Sequence, residues 1–345
     1  MPELPEVETI RRGLLPLILN KKIIQVEVDP QTRKAFQGDE ANVVEATVVG
    51  LRRRGKALLI DLSNGWSMMV HLRMTGQLIW RDEFLERSTA LRLAAAPSLD
   101  VKSSSVRCSV LPCSSSPMNS HRGGDGLEPE VYDEIMRHQF AAGHPSKNFT
   151  AELPNSQTRV SFQFEDGTLY FNDQRKFGFV KVLPTEQVEE EKFIRELAKE
   201  PWEMEPGELF RQCQRHAKAP IKAVLLDQKV IAGLGNIYAD ESLFYASVHP
   251  ARKAGELTEE QVALILEGAR NVMMESIDSG GSTMATYIKP DGSTGSYLEN
   301  FAKVFRREGR ECVRCGKTIL KTRVAGRGTH YCPGCQEAPE GFKGD

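Results

Sequence analysis

The sequence lacks any long hydrophobic run. No stretch approaches the roughly 18 consecutive apolar residues of a membrane-spanning helix, and the N-terminus has no apolar core of the kind found in signal peptides. These two absences exclude an integral membrane protein and a protein exported by a signal peptide. They predict a soluble, cytoplasmic protein that has no membrane among its partners.

An excess of charge of one sign is also absent. The chain has 345 residues, with 45 Lys and Arg against 47 Asp and Glu, so its overall composition does not indicate nucleic-acid binding. The distribution is more informative, because residues 303–327 hold nine basic and two acidic residues. A local basic field of this kind attracts phosphate groups.

Cysteine is scarce, and its spacing favours metal binding over a disulfide framework. Four of the seven cysteines form two pairs, Cys312-x-x-Cys315 and Cys332-x-x-Cys335, with sixteen residues between them. This spacing is typical of a tetrahedral Zn²⁺ site, and four thiolates leave no open position for catalysis. The alternative, a thioredoxin-like redox pair, lacks the expected βαβ pattern. The sequence therefore predicts one structural zinc ion.

The chain is longer than a single hydrophobic core usually allows, which predicts two domains and a small appendage. A helix is expected over residues 6–19, kinked or ended early by Pro16. Short strands without intervening helices then predict an antiparallel β-sandwich. The expected strands are residues 23–28, 47–51, 57–62, 66–72, 77–80, 158–164, 168–172 and 177–183. Beyond Pro184 the helical pattern predicts helices at residues 186–199, 207–216, 221–228, 237–246 and 258–277.

The fold class predicted is therefore α+β: a β-sandwich with a flanking helix, then a helical domain that ends in a four-cysteine zinc ribbon. The predicted units are residues 1–184, 185–300 and 301–336, with a dispensable tail at 337–345. Residues 89–143 break the strand pattern with serine-rich, low-complexity sequence. We expect a disordered insertion there, with a helix possible only at 127–140 and with Cys108 and Cys113 as free thiols.

The first residues of the chain carry a candidate nucleophile. Loss of Met1, which is usual before proline, would leave the secondary amine of Pro2 as the N-terminus. An α-amino group titrates near neutral pH and can attack a sugar carbon to form a covalent imine. Glu3 is then a candidate proton donor and acceptor. A solvated terminus without chemistry is the alternative reading of this segment.

Three further stretches predict contacts with DNA. The glycine-rich turn 231–236 leads into a helix, where backbone N–H groups form an anion site, with Asn236 as a further donor. Arg175 and Phe177 follow a strand and could fill the gap left by a flipped base, as could Met74. Each stretch has a structural alternative: a tight turn, an ion pair, or core packing. Arg53, Arg54 and Lys56 add candidate phosphate binders.

Together these stretches resemble the formamidopyrimidine-DNA glycosylase family of base-excision repair enzymes, in the helix–two-turn–helix superfamily. Residues 2–9 (PELPEVET) are similar to the catalytic opening of that family. The resemblance implies that Pro2 attacks the deoxyribose C1′, that Glu3 is the acid/base at the sugar, and that Lys56 binds the lesion phosphate. The resemblance also implies residues that contact DNA. In the space left by the flipped base these are Met74, Arg175 and Phe177, at the phosphates they are Asn236 and Arg327, and His71 is a further contact. Arg327 is counted with the catalytic set.

Residues 281–295, with Tyr287 and Tyr297, resemble the loop that covers an everted oxidised purine. At position 4 the chain has leucine, where the endonuclease VIII branch of the family typically carries glycine. This residue and the loop favour the branch of the family that acts on purine lesions. The resemblance implies a monomeric, bacterial-type, nucleoid-associated enzyme that excises 8-oxoguanine or formamidopyrimidines from duplex DNA and cuts the strand by β,δ-elimination. Two alternatives stay open: an endonuclease VIII-like enzyme for oxidised pyrimidines, and a non-catalytic zinc-finger DNA-binding protein. Residues 89–143 are a departure from the family, which does not ordinarily carry such an insertion in its β domain.

Overall fold

The computed structural model describes residues 2–82, 139–143, 152–281 and 297–343. A sheet domain, a helical domain and a cysteine-bearing finger follow one another along the chain, so the predicted α+β class is confirmed. Among the described residues, no helix has the length and apolar composition needed to cross a bilayer.

The first helix, α1 (Leu4–Ile18), begins directly after Pro2 and Glu3. Its N-cap residue is Glu3, whose backbone N–H donates to the Glu6 carboxylate at 2.7 Å. Its buried face carries apolar residues at helical spacing, including Val7, Ile10 and Leu14, which pack in the core of the sheet domain. Pro16 does not end the helix early: it costs the one backbone bond that its missing N–H would make, and the helix continues to Ile18.

Two five-stranded sheets form the N-terminal domain. The strands are β1 (Ile23–Val28), β2 (Phe36–Gln37), β3 (Val48–Arg54), β4 (Ala57–Leu62), β5 (Trp66–His71), β6 (Gly76–Asp82), β7 (Gln139–Gly143), β8 (Thr158–Phe164), β9 (Gly167–Asp173) and β10 (Phe179–Pro184). One sheet has the order β1-β8-β9-β6-β7 and the other β2-β10-β5-β4-β3. All pairs are antiparallel except the short pair of β10 with β2. Apolar side chains from both sheets and α1 share one core.

The C-terminal end of the predicted insertion forms a strand, β7, and is not disordered. The sequence predicts a disordered insertion at residues 89–143, with a helix possible only at 127–140, yet Gln139–Gly143 pairs with β6, where Phe140 lies opposite Trp80. Phe140 is buried and lies against α1 at Gly13, where an added Cβ would come within 2.2 Å of its ring. Alanine and glycine have low strand propensity, so this edge strand depends on tertiary packing. The rest of the insertion, with Cys108 and Cys113, lies outside the described residues.

The helical domain contains α2 (Lys192–Arg195), α3 (Pro206–Arg215), α4 (Ile221–Leu226), α5 (Asn236–Tyr245), α6 (Glu259–Asp278) and α7 (Tyr297–Asn300). The predicted helix at residues 186–199 is wrong, since only a 3-10 turn at Thr185–Gln187 and the single α-helical turn of α2 form. The segment is held by hydrogen bonds to the helical domain instead: Ala198 N donates to Gln228 O, and Ala232 N donates to Lys199 O. These bonds replace the helical pairing that the local pattern favoured.

The C-terminal finger is a two-stranded ribbon of β11 (Leu320–Val324) and β12 (Arg327–Tyr331). The predicted ribbon is confirmed. The C-terminal tail packs on the helical domain, because the Phe342 ring lies edge-on against His249 at a centroid distance of 4.6 Å. Whether the tail is dispensable stays a prediction.

Candidate active site and nucleic-acid interface

The first described residues of the chain are enclosed where the sheet domain and the helical domain meet. Pro2 and Glu3 are both buried, and Glu3 is 3% exposed. The Glu3 carboxylate lies at the N-terminus of α5, where Oε1 accepts the N–H of Ile237 at 3.0 Å. Burial raises the pKa of Glu3 to about 7, against the opposing charge of Lys56. A carboxyl group with this pKa can hold and release a proton near neutral pH.

Lys56 comes to the same place from the β3–β4 turn. The residue is 5% exposed, and its ammonium donates to the Leu234 carbonyl at 2.6 Å. Burial lowers the pKa of Lys56, while the charges of Glu3 and Glu6 oppose this shift and that of Arg327 adds to it. The structure therefore couples Lys56 electrostatically to the buried Glu3, which is next in the chain to the candidate nucleophile Pro2.

Three predicted wedge residues lie together on two neighbouring turns. Met74 is 40% exposed and Phe177 is 56% exposed. The Arg175 guanidinium contacts both, since Nη1 lies 3.2 Å from the Met74 sulfur and Cζ lies 5.3 Å from the Phe177 ring centroid. The structural alternative for Phe177, core packing, does not hold. An exposed cation with two exposed apolar side chains is suited to entering a base stack.

The predicted phosphate binders meet at the start of β12. Arg327 is exposed on the ribbon, and Asn236 Nδ2 donates to the Gly328 carbonyl at 2.9 Å. The same carbonyl accepts from Lys222 Nζ at 3.0 Å. Asn236 and Arg327 are therefore brought to one surface by the docking of the ribbon on the helical domain.

The four cysteines fit a single tetrahedral metal ion. Their sulfur atoms lie within 4.8 Å of one another. Cys312 and Cys335 have sulfurs 3.8 Å apart, and Cys315 and Cys332 have sulfurs 3.4 Å apart. A tetrahedral centre with Zn–S bonds of about 2.3 Å requires sulfurs separated by about 3.8 Å. The donor set and its geometry therefore support a structural metal ion.

Family models match three parts of the chain. The formamidopyrimidine-DNA glycosylase N-terminal domain matches residues 1–109, and the H2TH domain of the same glycosylase matches residues 197–288. A zinc finger found in FPG and IleRS matches residues 309–338. The formamidopyrimidine-DNA glycosylase of Pelotomaculum thermopropionicum is 34% identical over 342 residues, which cover 98% of this chain and 99% of that protein. The chain belongs to the formamidopyrimidine-DNA glycosylase family.

Further relatives agree with this assignment. The formamidopyrimidine-DNA glycosylase of Geobacillus kaustophilus is 35% identical, with 97% of this chain and all of that protein covered. A Lactococcus lactis Fpg variant solved with Fapy-dG-containing DNA has a TM-score of 0.70 and 29% identity, covering 98% of this chain. The MutM (Fpg) protein of Thermus thermophilus also has a TM-score of 0.70, at 32% identity and 98% coverage. The predicted family and its enzyme class, a DNA glycosylase, are confirmed.

Not every predicted site residue of this Fpg-family chain lies on the surface. His71 is 4% exposed, and its ring packs edge-on against Phe193 at 4.9 Å. Burial lowers the pKa of His71 to about 3, with the cations of Arg73 and Lys56 adding to the effect, so the ring is neutral. Its contact with DNA stays a prediction. Tyr287 lies outside the described residues, and Tyr297 begins α7.

The glycine at 235 gives the Fpg-type site its close packing. A Cβ at Gly235 would lie 2.3 Å from Cδ of Glu3 and 2.5 Å from its Oε1. We expect Gly235→Ala to displace the Glu3 carboxyl and lower kcat about 10- to 100-fold, because ångström-scale misplacement of a reacting group is costly. Single-turnover excision kinetics would measure this. Gly207→Ala, where the nearest neighbour is 3.5 Å away, is the matched control and should keep full activity.

Sequence reasoning missed Glu200, which holds the Lys56 turn from the helical domain. Its Oε1 accepts the N–H of Gly55 at 2.8 Å and Nη1 of Arg53 at 2.6 Å, and its Oε2 accepts Nη2 of Arg53 at 2.8 Å. Arg53 also lies 3.3 Å from Glu8 of α1. A half-buried arginine between two carboxylates fixes the turn that leads directly into Lys56. No motif in the local sequence connects residues 53 and 200.

We expect Glu200→Gln to lower kcat/KM about tenfold, because the Gly55 turn and Lys56 lose their fixed position. A gel-based excision assay on lesion-containing duplex DNA would measure the loss. Glu189→Gln is the control, since that side chain is 69% exposed and lies 3.6 Å from Arg52. Equal activity of the two variants would contradict the role assigned to Glu200.

Proposed function

We propose that this chain is a bifunctional DNA glycosylase and AP lyase that removes oxidised purines, 8-oxoguanine and formamidopyrimidines, from duplex DNA. The observation that carries the proposal is the convergence of Pro2, Glu3 and Lys56 at one buried junction of the two domains. The purine preference comes from the sequence resemblance of residues 281–295 to a lesion-covering loop. The Lactococcus lactis relative solved with Fapy-dG-containing DNA is consistent with it.

The proposed chemistry begins at the amine of Pro2 after Met1 has been removed. The amine attacks C1′, and Glu3, which holds a proton near neutral pH, donates it to O4′ as the C1′–O4′ bond opens. The proton of the attacking amine passes to the base, the glycosidic bond breaks, and the base leaves as C1′ becomes the carbon of a Pro2 iminium ion. Transfer of a C2′ proton to the Glu3 carboxylate then expels the 3′ phosphate, and loss of a C4′ proton to water expels the 5′ phosphate. Lys56 and Arg327 neutralise the phosphate charge beside the lesion.

DNA recognition in this proposal uses both domains. Met74, Arg175 and Phe177 enter the void left by the flipped base, while Asn236 and Arg327 contact the backbone. Cys312, Cys315, Cys332 and Cys335 hold a Zn²⁺ ion, which fixes the finger without taking part in the reaction. Monomeric state and cytoplasmic, nucleoid-associated location stay predictions.

Borohydride trapping tests the proposal. We expect a strong covalent band on an 8-oxoguanine:cytosine duplex with the processed chain, a weaker band with Pro2→Gly, and no band with a chain that keeps Met1. Pro2→Gly replaces the secondary amine by a less nucleophilic primary amine, and retained Met1 moves the amine away from position 2, so these two forms are the controls. Trapping on thymine glycol but not on 8-oxoguanine would favour the endonuclease VIII-like alternative. Binding without trapping on either duplex would favour the non-catalytic one.

A further inference from the structure

A single buried carboxylate, that of Asp173, joins the two turns that carry the wedge residues. Asp173 ends β9 and lies opposite Gly76, the first residue of β6. The residue is 1% exposed. Met74 precedes Gly76 on one turn, and Arg175 and Phe177 follow Asp173 on the other. Asp173 is therefore placed where both turns leave the sheet.

The Asp173 carboxylate accepts hydrogen bonds from both turns. Its Oδ1 accepts the Thr75 hydroxyl and the Arg175 N–H, the latter at 3.1 Å. Its Oδ2 accepts the Gly178 N–H at 2.7 Å. The Arg175 N–H also lies 3.0 Å from the Thr75 hydroxyl oxygen, which closes the network. Both ends of the loop 174–178, and the turn beside it, are thus attached to one charged group.

The surroundings keep this carboxylate in place. Arg159 Nε donates to the Asp173 carbonyl at 2.9 Å, and Arg159 itself is 4% exposed. At Gly178, an added Cβ would lie 2.8 Å from the Phe171 ring and 3.2 Å from Asp173 Oδ2, so the loop closes tightly only with glycine. All the hydrogen bonds of this network are made between groups of the chain itself.

We propose that Asp173 is a positioning residue that holds the two turns as one preassembled wedge. Met74, Arg175 and Phe177 then enter the duplex together, with no loop ordering left to be done during base flipping. This inference rests on the proposed function. It assigns Asp173 to the flipping step alone, because the carboxylate lies on the turns and accepts no bond from Glu3 or Lys56 in the described network.

A single-stranded substrate distinguishes a role of Asp173 in base flipping from a role in the chemical steps. A wedge is needed where a base leaves a stacked duplex, and a single strand with an abasic site has neither a partner base nor a continuous stack. We expect Asp173→Asn to lower kcat/KM on an 8-oxoguanine:cytosine duplex about 10- to 100-fold, the size expected for losing a charged hydrogen bond. The amide nitrogen cannot accept a backbone N–H. Borohydride trapping on single-stranded abasic DNA should stay within about twofold of the wild type.

Thr75 provides a milder second variant. Thr75→Val removes only the hydroxyl that ties the Met74 turn to Asp173, and we expect a loss of about 3- to 10-fold on the duplex. Thr75→Ser keeps the hydroxyl and should restore activity. Asp166→Asn is the matched control for charge: its side chain is 52% exposed in an ion pair with Lys21, and it should behave like the wild type.

The outcomes are distinct. Selective loss on duplex DNA with rescue by Thr75→Ser would support the proposal. An equal loss on duplex and single-stranded substrates, or no loss with Asp173→Asn and Thr75→Val, would overturn it. A wild-type chain that forms no covalent band on either substrate would instead overturn the proposed function.

Discussion

Glu3→Gln is expected to lower the rate of base excision about 1000-fold, within the range that general acid–base groups contribute. Glutamine keeps the shape of the side chain and can accept the Ile237 N–H that Glu3 accepts at 3.0 Å. It cannot donate a proton to the opening sugar. Single-turnover excision of 8-oxoguanine, quenched and resolved on a denaturing gel, would measure the rate.

The pH dependence follows from the raised pKa of Glu3. Burial raises this pKa to about 7, so the carboxyl is protonated below that pH and ionised above it. If the protonated form is the donor, excision falls as pH rises through about 7 in the wild type. In Glu3→Gln this alkaline limb should be absent, and the residual rate should not fall across that range.

Glu27→Gln is the matched control, because Glu27 is exposed on β1. It should preserve both the rate and the alkaline limb. Persistence of the limb in Glu3→Gln would contradict the assignment of Glu3 as the group that titrates. A rate loss below about fivefold would likewise contradict its role as the proton donor.

Lys222→Met is expected to destabilise the junction of the finger and the helical domain by about 3–5 kcal/mol, the cost typical of breaking a buried ion pair. Lys222 and Asp240 form a pair at 2.6 Å with both side chains 0% exposed. Lys222 Nζ also donates to Thr329 Oγ1 at 2.9 Å. Methionine leaves Asp240 charged and without its cation. Thermal unfolding of the zinc-loaded chain would show the loss.

The same substitution should weaken DNA binding. Lys222 and Asn236 both donate to the Gly328 carbonyl, which neighbours Arg327, so loss of one donor loosens the phosphate-binding end of β12. Lys229→Met is the control, because its ion pair with Glu196 has side chains 64% and 37% exposed and should change stability by less than about 0.5 kcal/mol. Similar unfolding temperatures for the two variants would show that the buried pair does not hold the finger.

The site could be predicted in part from the sequence, because some of its residues lie only a few positions apart in the chain. The spacing of Cys312, Cys315, Cys332 and Cys335 predicts four converging thiolates, and the structure brings their sulfurs to tetrahedral separations. The exposed positions of Met74 and Phe177 agree with the predicted wedge. In these cases the function depends on short spacings that a turn or a knuckle fixes.

Other groups could not be predicted, because their partners are far away in the chain. Glu200 acts on Gly55, and Lys222 on Gly328, across 145 and 106 residues. Isolated in the sequence, each is an ordinary charged residue of a helical domain. The helix predicted at residues 186–199 and the disorder predicted at 139–143 failed for the same reason, since hydrogen bonds and packing from distant segments overrode the local pattern.

The sequence alone determined the order of the units, the strand and helix periodicity, the candidate metal ligands and the identity of the candidate nucleophile. These properties follow from side-chain chemistry and from spacings of a few residues. Only the tertiary structure decided that Glu3 is buried at the start of α5, that Lys56 lies at the same junction, and that Asp173 joins two turns. Burial and electrostatic coupling arise between segments that meet only on folding, and they set the pKa of Glu3 and the position of each wedge residue.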